Sequence, residues 1–348
     1  MEFALSEDQR LLQDSLKGVL AGAASLDQIR KIAVGDAAAT GALEAALAEF
    51  GLASLIVPEE AGGLGLGALD AVLVQEALGY ALAPSRFVAS ALAAKALAGN
   101  AALTGAISSG EASFALALTE LASRRDGAGV ELKGGKLSGT ALLVQYAEGA
   151  THFLVADTAG TLHAVEAKGA AVKVMQTIDR TRIFHEVTFK GAAPLVSVKP
   201  GAEFLAFARL LVAADTLGAA QAMIDKAVAY AAERQQFGRV IGSFQAVKHM
   251  CAEMAAKLEP GRALIWHAAH ALDIGDAEGP VMANLAKSYM AEAGTFIART
   301  STEVHGGMGF TDLVGLHYWY KRIGVNRQLF GSPEQARQTA AELQGLVA

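Results

Sequence analysis

The sequence predicts an α+β chain in three successive regions: an α-helical domain over residues 1–110, a middle antiparallel β domain over 111–199, of barrel or sandwich type, and an α-helical four-helix bundle over 200–348. Three observations predict it. Apolar residues make up 53% of the chain while aromatics are only 6%, so most of that content is Ala and Leu, which favours close-packed helices. Near Ser113 the texture changes to short apolar or alternating runs broken by Gly, Asp and Thr, the pattern of a small antiparallel sheet domain. From Glu203 onward, long helical windows return. At 348 residues the chain is also too long for one small core.

Each element follows from local pattern. Ser6-Glu-Asp-Gln is a capped helix start, and Leu11, Leu12, Leu16 and Leu20 continue it near helical spacing. Asp36–Leu55 predicts a second helix, ending near Gly51. Pro58-Glu-Glu-Ala-Gly-Gly-Leu-Gly-Leu-Gly is a loop, because so many glycines cannot hold a helix. Helical pattern resumes over Asp70–Tyr80 and, after Pro84, over Arg86–Ala98. Strands are predicted at Phe114–Leu118, Val130–Leu132, Leu142–Tyr146, Phe153–Ala156, Leu162–Val165, Val172–Met175 and Val187–Phe189, with Pro194 and Pro200 marking the exit. Helices then run over Phe204–Arg234, Phe244–Ile274 and Gly279–Thr302, followed by shorter pieces.

Bulk properties exclude several function classes. A net charge of −6 without long single-sign runs offers nothing to a nucleic-acid backbone and no polybasic patch to a membrane surface. Lys95, Arg209 and Asp215 interrupt the long apolar stretches, which argues against a spanning helix. The single Cys251 excludes an internal disulfide, and beside Met250 and Met254 it reads as a packed thiol. The acidic start has no signal-peptide core, and a cytoplasmic location is expected. No metal site is expected.

The most informative segment is residues 234–245, Arg-Gln-Gln-Phe-Gly-Arg-Val-Ile-Gly-Ser-Phe-Gln, between two Ala-rich helices. Arg234 is a fixed cation at a helix end that can fork onto a phosphate or carboxylate. Gly238 permits the turn, and Phe237 and Phe244 can pack it. By spacing alone this is a helical corner with an anion-binding option. The Gly62-Gly63-Leu64-Gly65 loop could cradle a phosphate too, but it lacks the preceding strand that a dinucleotide fingerprint requires.

Arg234-x-x-Phe-Gly-x-x-Ile-x-x-Phe-Gln resembles the flavin-contacting signature of the acyl-CoA dehydrogenase family. Four further patterns agree in order and spacing: Phe3-x-Leu-Ser-Glu-Asp-Gln, Gly51-Leu…Val57-Pro58-Glu…Gly62-Gly63-x-Gly65, Asp179-Arg-Thr-Arg182…Val187-x-Phe189, and Glu303-Val-His-Gly-Gly-Met-Gly-Phe-Thr311. The resemblance spans essentially the whole chain. It implies FAD as cofactor, an acyl-CoA substrate, α,β-dehydrogenation to a trans-2-enoyl-CoA, and electron-transfer flavoprotein as electron acceptor. A thioester α-proton is weakly acidic, so such a reaction needs a polarised carbonyl and a desolvated carboxylate base.

The resemblance also implies a flavin shared across a subunit interface. Arg234 would pair with the pyrophosphate, with Gln236 and Phe237 beside it and Phe244 and Gln245 towards the adenosine end. Val304, His305, Gly306 and Gly307 would pass close to the cofactor, the glycines letting backbone come within contact distance. Against these stand three departures. Thr119-Glu120 is followed by Leu-Ala-Ser-Arg-Arg-Asp-Gly in place of the family's Gly-Ser-Asp loop, and Leu142-Leu143-Val144 stands where an aromatic and a hydroxyl would face the flavin. The two positions of the family's catalytic Glu are held by Phe330 and Ala208, with Glu203 and Asp215 the nearest acids to the second. The chain is short, mostly through its β domain. This pattern resembles the shorter, degenerate subunit of heteromeric members of the steroid side-chain or dicarboxylyl-CoA type. It implies an α2β2 partner that carries the base. The alternatives are a self-sufficient homo-oligomer with a base relocated to Glu203 or Asp215, and a non-enzymatic scaffold of the same fold.

Overall fold

The computed structural model describes residues 4–122 and 126–347. Helix α1 (Glu7–Ala23) starts in a reciprocal cap: the Ser6 hydroxyl accepts from the Gln9 amide and the Gln9 side chain accepts from the Ser6 amide, each at 3.1 Å. There follow α2 (Leu26–Ala33), α3 (Ala37–Glu49), α4 (Ala68–Tyr80), α5 (Phe87–Ala96) and α6 (Ala101–Ser108). Two of these, α2 and α6, were not expected from periodicity. Each is only eight residues long, too short to show a 3.6-residue repeat, and each is held by a few buried contacts such as Ile29 and Ile107.

The middle region opens with β1 (Phe114–Ala117) and the short α7 (Thr119–Ala122). It continues as β2 (Gly129–Lys133), β3 (Lys136–Gln145), β4 (His152–Ala156), β5 (Leu162–Glu166), β6 (Ala171–Met175), β7 (Phe184–Ala192) and β8 (Val196–Val198). They form two four-stranded sheets, ordered β1-β4-β5-β8 and β2-β3-β7-β6. The pairs are antiparallel with one correction to expectation: β1 and β4 run parallel. The intervening hairpin β2–β3 belongs to the opposite sheet, so the chain re-enters the first sheet from the same end. Strand β3 begins six residues before its apolar run because Gly134-Gly135, both with positive φ, close a tight hairpin. Between the sheets Phe153 meets Phe189 edge to face, with ring centroids 5.5 Å apart.

The last region comprises α8 (Ala202–Glu233), the two-residue strands β9 (Gln235–Gln236) and β10 (Arg239–Val240), α9 (Gln245–Asp273), α10 (Glu278–His305), α11 (Leu316–Gln328) and α12 (Pro333–Leu343). Helix α4 lies against α8 at a backbone-to-backbone crossing made by two glycines. A Cβ on Gly218 would sit 1.9 Å from the Glu76 carbonyl oxygen, and one on Gly79 would sit 2.2 Å from that of Asp215. That crossing welds the first helical region to the last and places Gln75 and Asp215 side by side. No helix among the described residues is long and apolar enough to cross a membrane.

Candidate functional site

Arg234 caps α8, its amide donating to the Tyr230 carbonyl at 2.8 Å, and its side chain is exposed. The chain then reverses through Phe237 and Gly238, with φ of 52° and 77°, between β9 and β10. Phe237 is 92% exposed. An aromatic side chain held in the left-handed region and left almost wholly in solvent is strained and solvated together, a combination found where a ligand or partner binds. Phe244 lies 6.2 Å from it, edge to face, and carries the Arg239 guanidinium 4.0 Å above its ring. Gln236 bonds back to the Gln235 carbonyl at 2.8 Å, and Gln245 opens α9 with its side chain exposed.

The second group sits at the end of α10. Val304 and His305 are buried, whereas Gly306 and Gly307 are exposed. The His305 ring stacks on Tyr230 at 4.5 Å, and its Nδ1 lies 2.8 Å from the Ser301 carbonyl. Burial holds the imidazole pKa below its ordinary value. Gly306 has φ 58°, and a Cβ at Gly306 or Gly307 would meet nothing within 4 Å. The missing side chains thus leave bare backbone facing open space. The Tyr230–His305 stack ties the end of α10 to the end of α8, and so joins the two predicted groups. Tyr230 was missed in the sequence; its signal was its place one turn before Arg234.

Of the positions expected of a base, Ala208 lies 26 residues before Arg234 along α8, about 39 Å at the helical rise. Ala208 is fully buried on α8. Phe330, with φ 56°, occupies the turn after α11 and, like Leu143 and Met175, packs against the buried cluster of Phe184, Val212 and Leu329. Arg209 fixes that turn by donating to the Phe330 carbonyl at 2.9 Å, and Lys287 Nζ donates to the carbonyls of Asn326 and Arg327 at 2.7 and 3.1 Å. Neither Ala208 nor Phe330 can accept a proton.

What fills the adjoining space is a buried polar cluster. Asp215 accepts from Arg322 Nη2 at 2.6 Å and Nε at 2.9 Å, from Gln75 at 2.8 Å and from Asn326 at 2.6 Å. Arg182, itself bonded to Asp179 at 2.7 Å, stands 3.9 Å from the same carboxylate. Burial alone would raise the Asp215 pKa, but the Arg322 charge and its hydrogen bonds hold it down to about 2. Such a carboxylate is a poor base. The cleft bounded by Asp215, Arg322, Arg182 and Phe330 retains only about 20 Å³, room for little more than one water. Glu203 is exposed on the first turn of α8; twelve residues separate it from Asp215, about 18 Å along the axis.

Two weaker readings are decided by geometry. The glycine loop spends its amides internally: Gly63 on the Pro58 carbonyl at 3.1 Å, Leu64 on Ser54 at 3.0 Å and Gly65 on Val57 at 2.8 Å. It has none left for a phosphate, and Gly63 is required because a Cβ would strike the Val57 carbonyl at 2.1 Å. Cys251 packs against the main core, and burial raises its thiol pKa. In the β domain Thr119 Oγ1 donates to the Leu142 carbonyl at 3.0 Å and accepts from its amide at 2.8 Å, beside a bulge where Leu143 takes φ 57°. The rest of that departure from the expected loop, Ser123 to Arg125, lies outside the described residues.

Residues 6–105 match the family profile described as acyl-CoA dehydrogenase, N-terminal domain, and residues 202–344 match acyl-CoA dehydrogenase, C-terminal domain. The chain is 30% identical over 332 residues to acyl-CoA dehydrogenase IpdE2 of Mycobacterium tuberculosis, covering 94% of this chain and 95% of that protein. Among solved structures it is similar to a steroid acyl-CoA dehydrogenase variant, Tcur3481-Tcur3483, at 26% identity and TM-score 0.87, with 98% of each chain covered. The ChsE4-ChsE5 complex from Mycobacterium tuberculosis shares the fold at 24% identity and TM-score 0.87, with all of both chains covered.

Proposed function

The chain belongs to the acyl-CoA dehydrogenase family, and from that premise we propose that it is the base-lacking subunit of a heteromeric, FAD-dependent enzyme that dehydrogenates an acyl-CoA thioester to the trans-2-enoyl-CoA. One observation carries the reading: Arg234, Gln236, Phe237, Gln245, Gly306 and Gly307, suited to a flavin held by a neighbour, are exposed on this chain, while its own cleft is filled. The relatives named above include two-component complexes, which supports a heteromer.

The residues fit FAD. The exposed Arg234 guanidinium offers a fork to the pyrophosphate. Gly306 and Gly307 let backbone amides approach without a side chain between. Gln236 and Phe237 would lie beside the pyrophosphate, and Phe244 and Gln245 towards the adenosine end. When bound, FAD supplies the acceptor for the substrate β-hydride. The stack of the buried His305 ring on the half-buried Tyr230 keeps the two contributing helix ends in register. A carboxylate of the partner subunit takes the α-proton, since Phe330 and Ala208 take none. Electron-transfer flavoprotein is the proposed outlet for the electrons.

The self-sufficient alternative is not favoured, because Asp215 is locked by Arg322 and Glu203 faces solvent. The test is to purify the chain alone and together with the product of a neighbouring dehydrogenase gene. The reading expects flavin retention and acyl-CoA-dependent dye reduction only from the pair. Turnover by the chain alone rejects it.

A further inference from the structure

A cavity of about 960 Å³ lies between α1–α2 and the layer formed by α4, α8, α9 and α11. That is at the upper end of the range for small-molecule sites. It is distinct from the cleft at Phe330: on α4, Gln75 points into that cleft and the next residue, Glu76, into this cavity. Its walls are mostly apolar, from Leu20, Ile29, Ala77 and Ala222, together with the indoles of Trp266 and Trp319.

Most polar groups in the cavity satisfy each other. Arg262 pairs with Glu76 and donates to Gln221 Oε1 at 3.1 Å. Asp225 accepts from the Tyr80 hydroxyl at 3.0 Å and from Gln221 at 2.8 Å. Lys226 stands apart. Its ammonium lies 4.8 Å over the Trp319 ring, and among the described residues no carboxylate lies within ion-pair distance of it. Burial, with the Arg30 charge adding to it, lowers its pKa. A half-buried cation against an indole in an apolar recess is costly unless an anion joins it.

We propose that this cavity binds an amphipathic monocarboxylate, its apolar body against the small-residue wall and the indoles, and its carboxylate on Lys226 Nζ. The site does not depend on the flavin reading, so the two stand or fall separately. A polycyclic and a linear acid share this chemistry, and cholate and decanoate serve as the two probes.

Trp266 and Trp319 are the two tryptophans of the whole chain and both line the cavity, so intrinsic emission reports on it. Titrating the full chain with each acid below its micellar concentration should give a saturable change in emission with at least one of them. Decan-1-ol should bind at least tenfold more weakly than decanoate if decanoate is the acid that binds. Lys226→Met should weaken acid binding at least tenfold and leave the alcohol within about twofold, and Ala222→Leu should weaken both. If Lys226→Met does not fold, the wild-type comparison of acid with its alcohol or amide still decides. No saturable response to either acid, or equal affinity for the charged and uncharged forms, overturns the proposal.

Discussion

Asp215 on α8 and Arg322 on α11 meet in a two-pronged ion pair, 2.6 and 2.9 Å, fully buried beside Phe330. Together with Gln75, Asn326 and Arg182 they convert what could be a ligand cleft into a polar plug. The plug holds α4, α8, α11 and the β domain at one point. It gives the chain a structural centre beside Phe330.

Breaking the pair from one side leaves a charge buried without a partner. Asp215→Asn and Arg322→Met should each destabilise the chain by about 3–5 kcal/mol. The double variant Asp215→Leu with Arg322→Met should recover a large part of the loss. Urea unfolding of the three proteins, with unchanged slopes, checks this.

The same carboxylate sets a pH dependence. Its folded pKa of about 2 lies below the unfolded value of about 3.9, so its contribution is fully present above about pH 4. It is lost as pH falls from there towards 2, amounting to about 2–3 kcal/mol. The sign is acid destabilisation. Unfolding free energies measured between pH 5 and pH 2 should fall more steeply for the wild type than for Asp215→Asn.

Restoring a carboxylate should not restore a reaction. Phe330→Glu would place an acid in the turn fixed by Arg209, yet the adjoining space of about 20 Å³ admits no acyl chain. The isolated variant should show no acyl-CoA-dependent dye reduction above background. Any turnover by it would mean that the plug opens.

Arg234 is exposed and makes no side-chain contact that holds the fold among the described residues. Arg234→Ala should therefore leave the melting temperature of the isolated chain unchanged. In the assembly it should weaken FAD retention by roughly 10- to 100-fold, the value of about 1.5–3 kcal/mol for a hydrogen bond to a charged group. Equilibrium dialysis of flavin against the assembled complex measures it.

Much of the architecture was legible because long Ala-rich helices and short β-branched runs carry strong periodicity. Helices α4, α8, α9 and α10 fall within a few residues of their expected bounds. What escaped was set by contacts rather than pattern: α2 and α6 are too short to show a repeat, and the parallel β1–β4 pair depends on which sheet the intervening hairpin joins. At the candidate site, Arg234 and Gly306-Gly307 stood out because the segments around them resemble patterns of the acyl-CoA dehydrogenase family; by spacing alone the first is only a helical corner with an anion-binding option. Tyr230 did not, since an aromatic on a long helix looks like any core residue until the fold stacks it on His305. The plug was invisible for a related reason. Asp215, Arg322 and Arg182 lie far apart in the chain, and nothing local marks them as partners.

The most direct test of shared flavin binding is the ratio of FAD to polypeptide in the assembled complex, with the chain alone measured beside it. One FAD per two chains, with the lone chain colourless and inactive towards acyl-CoA, is the predicted result. A lone chain that carries one FAD of its own and oxidises an acyl-CoA contradicts it.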